Sequence, residues 1–189
     1  MYNLKIITST VRPGRKGPIV AEWILNHAKK YEDFNVELLD LGIINLPMMD
    51  EANHPLMKKY QHEHTKKWSA SIEEADAFIF VTAEYDYNYP APLRNAIEYL
   101  ALEWQYKAAG IVSYGGVSSG TRAANSLKSD LATMKIVPLS EAVHIPFFSQ
   151  FIVDGKFAPN EISLKSADTM MKELLRWTKG LKLIKENSL

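Results

Sequence analysis

The chain alternates short apolar runs with helical patterns five times over, and this alternation limits the fold more than any other feature. Leu4 to Thr8 (LKIIT) is the first run, and Phe34 to Leu41 reads as the second strand. Ala77 to Thr82 (AFIFVT) is the third, and its unbroken apolarity predicts burial on both faces. Ala109 to Tyr114 is the fourth, and a fifth lies within Ile136–Ile145, interrupted by Pro138. Between strands one and two a helix opens at Gly17-Pro18, with proline where its missing N–H costs nothing. Val20, Trp23, Ile24, His27, Ala28 and Tyr31 then follow at helical spacing. A polar helix is expected from about Leu56 to Glu74, and another carries Leu93, Ala96, Ile97, Leu100, Ala101 and Trp104. A further helix runs through Ala123, Ala124, Leu127 and Leu131. The last covers about Glu161 to Lys185, with Leu164, Ala167, Met171, Leu174 and Leu175 inward. Strand–helix alternation predicts an α/β fold with a parallel sheet covered on both faces. Of the common doubly wound orders, 2-1-3-4-5 fits five strands.

At 189 residues the chain suits one domain spanning 1–189. Its 22 Lys+Arg cancel its 22 Asp+Glu, which argues against a dedicated nucleic-acid binder or a basic membrane anchor. The absence of cysteine removes thiolate nucleophiles, Cys-zinc sites and iron–sulfur clusters together. The opening residues hold no apolar run long enough for a leader or a membrane span, so a cytoplasmic protein is expected. His62 and His64, two apart on a predicted helix, should face different directions and sit on a solvated surface. His27 and His144 read as partly buried structural residues.

In doubly wound sheets ligands sit beyond the carboxyl ends of the strands, at the switch between strands one and three. Three loops therefore matter. The first, Ser9-Thr10-Val11-Arg12-Pro13-Gly14-Arg15-Lys16-Gly17-Pro18, offers hydroxyls, two guanidiniums and glycines just before a helix N-terminus. Those are the parts of a phosphate site, although the loop is neither a Walker loop nor a dinucleotide fingerprint. A solvated basic turn is the alternative. The second, Ala83-Glu84-Tyr85-Asp86-Tyr87-Asn88-Tyr89-Pro90, places three tyrosines where no regular periodicity buries them all. It suits a flat ring held by backbone groups, or a contact between subunits. The third, Ser113-Tyr114-Gly115-Gly116-Val117-Ser118-Ser119-Gly120, lets backbone approach a flat ligand closely. It also matches G-x-S-x-G at Gly116–Gly120, and Asp130 and His144 follow in the order of a hydrolase triad built on Ser118. Against that reading, Asp130 falls inside a predicted helix and no HGGG-type segment exists.

Taken in order, these loops resemble the NADPH-dependent FMN reductases, a family of quinone, azo-dye and chromate reductases on a flavodoxin-like fold. The family's GSTRPGR-x-G is matched by Ser9 to Gly17, with Ser9, Thr10 and Val11 in place of Gly, Ser and Thr. Its PEYN-x-x-x-P-x-x-LKNAID is matched by Ala83-Glu84-Tyr85-Asp86, Pro90 and Leu93-Arg94-Asn95-Ala96-Ile97-Glu98. Its SYGG and following Arg-Ala pair are matched by Ser113 to Gly116 and Arg122-Ala123. The similarity spans about Leu4 to Pro146.

The resemblance implies an FMN-dependent NAD(P)H oxidoreductase, with NADPH, or NADH, as donor. The phosphate would lie at Thr10, Arg12, Arg15 and the N–H groups near Gly17, Pro18 and Ile19. The ring would rest between the backbone of Ala83, Glu84, Tyr85 and Asp86 and the Ser113–Tyr114–Gly115–Gly116 loop. Hydride chemistry belongs to the cofactor, so no catalytic side chain is implied, and alternation of donor and acceptor at one face implies ping-pong kinetics. Quinones, azo compounds or free flavin would accept, with Tyr85, Tyr87 and Tyr89 as a stacking wall. A homodimer or dimer of dimers is implied too, with the helix carrying Leu100 and Trp104 at the interface. Asp86 departs from the family's Asn. Facing the flavin it would lower the potential, whereas capping the turn it would change little. A flavodoxin-like electron carrier or sensor without NADPH turnover is the competing reading.

Overall fold

The structure is a computed structural model that describes residues 1–187. Its main sheet has the order β2-β1-β3-β4-β5 and is parallel throughout. The strands are β1 (Tyr2–Thr8), β2 (Phe34–Asp40), β3 (Ala77–Ala83), β4 (Ala108–Tyr114) and β5 (Val137–Ile145). The helices are α1 (Gly17–Ala28), α2 (Leu41–Ile44), α3 (Glu63–Glu73), α4 (Ala91–Glu98), α5 (Thr121–Thr133) and α6 (Glu161–Glu186). The flavodoxin-like order expected from the sequence is the one observed.

Strand alternation divides the core into two layers. Leu4 and Ile6 of β1 with Ala77, Ile79 and Val81 of β3 face α1 and α6, where Val20, Ile24, Met170, Met171 and Leu174 meet them. Ile7, Phe78, Phe80 and Ile111 face the other way, onto Trp68 of α3, Leu93 and Ile97 of α4, and Leu127 and Leu131 of α5. Every residue of β3 and β4 is buried, which accounts for their unbroken apolar runs. Each large side chain among them contributes about 1.5–3 kcal/mol of burial. At the outer strand β5, Pro138 pairs opposite Ala109, and the register shifts between Ala109 and Ile111. An edge is where a strand tolerates proline.

Two expected helices are shorter in the structure. The segment before Glu63 holds only a 3-10 turn at Pro55–Met57, because Pro55 begins the turn and Lys58 adopts a left-handed conformation that ends it. His62 is thus the residue before α3 rather than a helical one, and its ring stacks on His64 at 5.2 Å instead of pointing away. After α4 the chain breaks at Ala101 (φ −136°, ψ −61°), and Leu102–Trp104 is a separate 3-10 turn. Leu100 and Trp104 are fully buried in their own core, so they are not available to an interface between copies. A hairpin of β6 (Ile152–Val153) and β7 (Lys156–Phe157) precedes α6 and was not expected.

At the opposite end of the sheet from the loops, Lys107 is buried and donates to the carbonyls of Ile72 at 2.6 Å and Glu73 at 3.1 Å, closing the C-terminus of α3. Burial, helped by the charge of Lys185, pulls its pKa from 10.5 down to about 7. Between those values the unfolded chain holds a proton that the folded chain has released. Stability therefore rises with pH across that window, by up to about 1.4 kcal/mol per unit from this one group. In urea unfolding, wild type should gain about 1–3 kcal/mol over Lys107→Met between pH 7 and pH 9. An identical pH dependence in both proteins would refute this.

Candidate active site

The loops after β1, β3 and β4 meet around a cavity of about 320 Å³ at the carboxyl end of the sheet. The first loop contributes Thr10, Arg12, Arg15 and Lys16, and the second Ala83, Glu84 and Tyr85. The third contributes Tyr114, Gly115 and Gly116. A fourth segment, Phe147-Phe148-Ser149, closes the remaining side, and nothing in the sequence marked it. It is held there by backbone bonds, Phe147 N–H to Gly116 O at 3.1 Å and Phe148 N–H to Gly115 O at 3.3 Å.

Helix α1 begins at Gly17 with no side chain capping it. Three hydroxyls converge on this end. A Cβ built on Gly17 would lie 2.3 Å from Thr10 Oγ1, 2.7 Å from Tyr114 Oη and 3.1 Å from Thr8 Oγ1. All three oxygens are buried, and none has a well-aligned hydrogen-bond partner among the described residues. Unsatisfied buried hydroxyls cost about 1–3 kcal/mol each. Together with the uncapped helix end they offer a seat in which an anion could be held. Burial pushes the Tyr114 phenol up to about 12, opposed by the Thr10 hydroxyl beside it, so the tyrosine stays protonated and able to donate.

Arg15 does not point freely into this seat. It grips Asp40 through Nη1–Oδ1 at 2.6 Å and Nη2–Oδ2 at 3.0 Å, and Nη1 also donates to Thr10 O at 2.9 Å. Its guanidinium lies against Gly42, where a Cβ would come within 2.6 Å of Cζ. Arg15 thereby fixes the loop, leaving Arg12 and Lys16 as the exposed cations of the first loop. Ser9 is buried behind the cavity, its Oγ donating to Thr82 Oγ1 at 3.2 Å. Pro18 and Ile19 continue the helix outside the cavity lining.

The second loop is a tight turn. Tyr85 and Asn88 exchange backbone hydrogen bonds of 2.8 and 2.9 Å, and Asp86 (φ 48°) and Tyr87 (φ 71°) both take left-handed conformations between them. Asp tolerates that region better than most residues, and Asp86 is exposed outside the cavity lining. Its position is thus that of a turn-former. Glu84 is held by Arg122, whose Nε donates to Oε1 at 2.6 Å. Burial pushes the Glu84 carboxyl up, but Arg122, Ser118 and the Ala123 N–H outweigh it and leave the group below its ordinary pKa. The same guanidinium sits 3.7 Å over the Tyr87 ring. The three tyrosines diverge: Tyr85 lines the cavity, Tyr87 is 71% exposed, and Tyr89 is only 6% exposed. Tyr89 belongs to the core, hydrogen-bonded to Asp130, so a wall of all three does not form.

Ser113 is likewise buried, donating to Ser119 O at 2.8 Å and meeting His144 Nδ1 at 2.7 Å. That contact also answers the triad reading. His144 faces Ser113 rather than Ser118, and Asp130 pairs with Arg94 at 2.6 Å and with Tyr89. The three groups are not aligned for nucleophilic catalysis. No group of three or more His, Asp or Glu among the described residues could hold a metal, and no described helix is long and apolar enough to cross a membrane.

Comparison with known proteins agrees with this arrangement. A protein of Schizosaccharomyces pombe named an NAD(P)H-dependent FMN reductase is 39% identical over 145 residues, covering 75% of this chain and 72% of its own. A fungal NAD(P)H-dependent FMN reductase from Nectria is 35% identical over 156 residues, covering 78% and 76%. Among solved structures, the flavoenzyme NAD(P)H:(acceptor) oxidoreductase of Paracoccus denitrificans superposes with a TM-score of 0.71 at 20% identity, covering 96% of this chain and 98% of that one. The family model for NADPH-dependent FMN reductases matches residues 3–150, which takes in all four segments of the cavity, and the chain belongs to that family.

Proposed function

We propose that the chain binds FMN at this cavity and serves as an NAD(P)H-dependent reductase, passing two electrons in ping-pong fashion to quinones, azo compounds or free flavin. The observation that carries the reading is the set of unsatisfied hydroxyls around Gly17 at the uncapped start of α1. They fit a phosphate, with Arg12 and Lys16 supplying positive charge at its open side. The cavity, of about 320 Å³, leaves room for a ring beside the third loop. A Cβ on Gly116 would meet nothing within 4 Å, so that backbone face is open to a ligand. Ala83, Glu84 and Tyr85 also border the cavity, and the Glu84 side chain is tied to Arg122.

FMN, when bound, supplies the hydride-accepting and hydride-donating chemistry. The protein's residues need only orient it and exclude competing reactions. Two lining groups with displaced pKa values accord with this, because Glu84 stays ionised and Tyr114 stays protonated at neutral pH. Neither is poised to shuttle protons. The preference for NADPH over NADH rests on family membership. A homodimer and a cytoplasmic location belong to the same reading.

The test is an absorbance spectrum of the protein after incubation with FMN and removal of the excess, followed by anaerobic NADPH. A retained flavin spectrum that bleaches is expected. A retained spectrum that NADPH leaves unchanged would favour an electron carrier or sensor. Absence of binding, together with no NADPH oxidation in the presence of free FMN, would overturn the reading.

A further inference from the structure

Phe147 combines three properties that packing alone does not account for. It follows Pro146 and adopts φ 45°, ψ 41°, a conformation ordinarily left to Gly or Asn after a proline in a turn. It is 49% exposed, whereas its neighbours Phe148 and Phe151 pack on the core, Phe148 against Tyr114 at 4.7 Å. It also lines the cavity, along with Tyr85. A bulky residue held in the left-handed region, with little burial to offset the strain, marks a position kept for what its side chain does.

We propose that Phe147 is a specificity-determining residue, the aromatic lip on which flat ring acceptors stack as they enter the cavity. The inference rests on the FMN reading above and deepens it by naming a residue that selects among acceptors. Of the aromatic residues that line the cavity, two are exposed: Tyr85, with the Arg12 guanidinium 5.9 Å from its ring, and Phe147. Planar conjugated acceptors gain from such faces, and octahedral ions do not. Two backbone bonds fix the position, Phe147 N–H to Gly116 O at 3.1 Å and Gln150 N–H to Phe147 O at 2.9 Å. The lip is therefore anchored to the loop that borders the ring slot.

The experiment compares the FMN-loaded wild type with Phe147→Gly, Phe147→Leu and Phe147→Tyr. Each is assayed at saturating NADPH with menadione, a flat quinone, and with ferricyanide, an octahedral ion. Phe147→Gly and Phe147→Leu should raise KM for menadione about tenfold while leaving the ferricyanide KM within twofold. Phe147→Tyr should match wild type. Glycine relieves the left-handed strain, so its melting temperature should fall by no more than about 2 °C. Equal losses with both acceptors, an unchanged menadione KM, loss of FMN from Phe147→Gly, or a changed sedimentation coefficient would each overturn the proposal. The last would make Phe147 a contact between copies. Failure of the wild type itself to hold FMN would instead overturn the function proposed above, and this inference with it.

Discussion

Replacing Gly17 with alanine should weaken FMN binding about tenfold to hundredfold, the equivalent of losing one charge-assisted hydrogen bond of about 1.5–3 kcal/mol. The new methyl carbon would lie 2.3 Å from Thr10 Oγ1 and 2.7 Å from Tyr114 Oη, closer than side chains approach. Thr10 is buried, so its hydroxyl can yield only by turning out of the anion seat. Overpacking of this kind also costs about 1–3 kcal/mol of folding stability. A second substitution separates the two effects. Gly17→Ala with Thr10→Ala removes the closest clash and should recover much of the melting temperature, yet not the affinity, since the donor is gone. Titration of FMN by quenching of its fluorescence reads the affinity. Wild-type binding by Gly17→Ala would mean that the phosphate lies elsewhere.

Asp40→Ala should be strongly destabilising. Asp40 accepts both terminal nitrogens of Arg15 and also the Gly42 N–H at 2.9 Å, so it holds the first loop and the start of α2 together. Asp40 is buried and Arg15 largely so, and removing one partner strands the other with its charge. A loss of about 2–4 kcal/mol follows, or about 5–15 °C in melting temperature for a chain of this size. FMN affinity should fall with it, because Arg15 Nη1 also anchors the Thr10 carbonyl. Arg15→Lys keeps the charge but not the two-pronged geometry, and should fall between wild type and Asp40→Ala. If Asp40→Ala melts like wild type, the pair is not what orders the loop.

The sheet was legible in the sequence because β3 and β4 are apolar along their whole length, and a sheet covered by helices on both faces buries such runs. The helices were less so. The spacing of Leu93, Ile97, Leu100 and Trp104 is genuinely helical and all four are buried, but α4 supplies only the first two, Leu100 lies beyond its end, and Trp104 sits in a separate 3-10 turn. Apolar spacing reports which side chains face the core, and it is silent on whether the backbone between them is continuous. The β6–β7 hairpin did carry a signal. Asp154 and Gly155 both have positive φ, the signature of a two-residue turn, within Val153-Asp154-Gly155-Lys156.

Within the site, the clustering of three loops could be read from their place after β1, β3 and β4. The division of labour among their side chains could not. The partner of Arg15 lies 25 residues away at the end of β2, and that of Tyr89 lies 41 away on α5. Such pairs decide which arginine is free and which tyrosine is core, and no local pattern announces them. Phe147 escaped for the opposite reason, since a bulky residue in a left-handed turn runs against every local preference.

The irregular margin at β5 bears on how the protein behaves when crowded. A smooth outer strand invites a neighbouring molecule to add its own strand, and such growth is how sheets begin to aggregate. Pro138 lacks an amide hydrogen to offer, and the register shift beside it further disrupts regular pairing. Of the two margins of the sheet, the one at β2 is thus the more open to unwanted accretion, and solubility screening should begin with the residues of that strand.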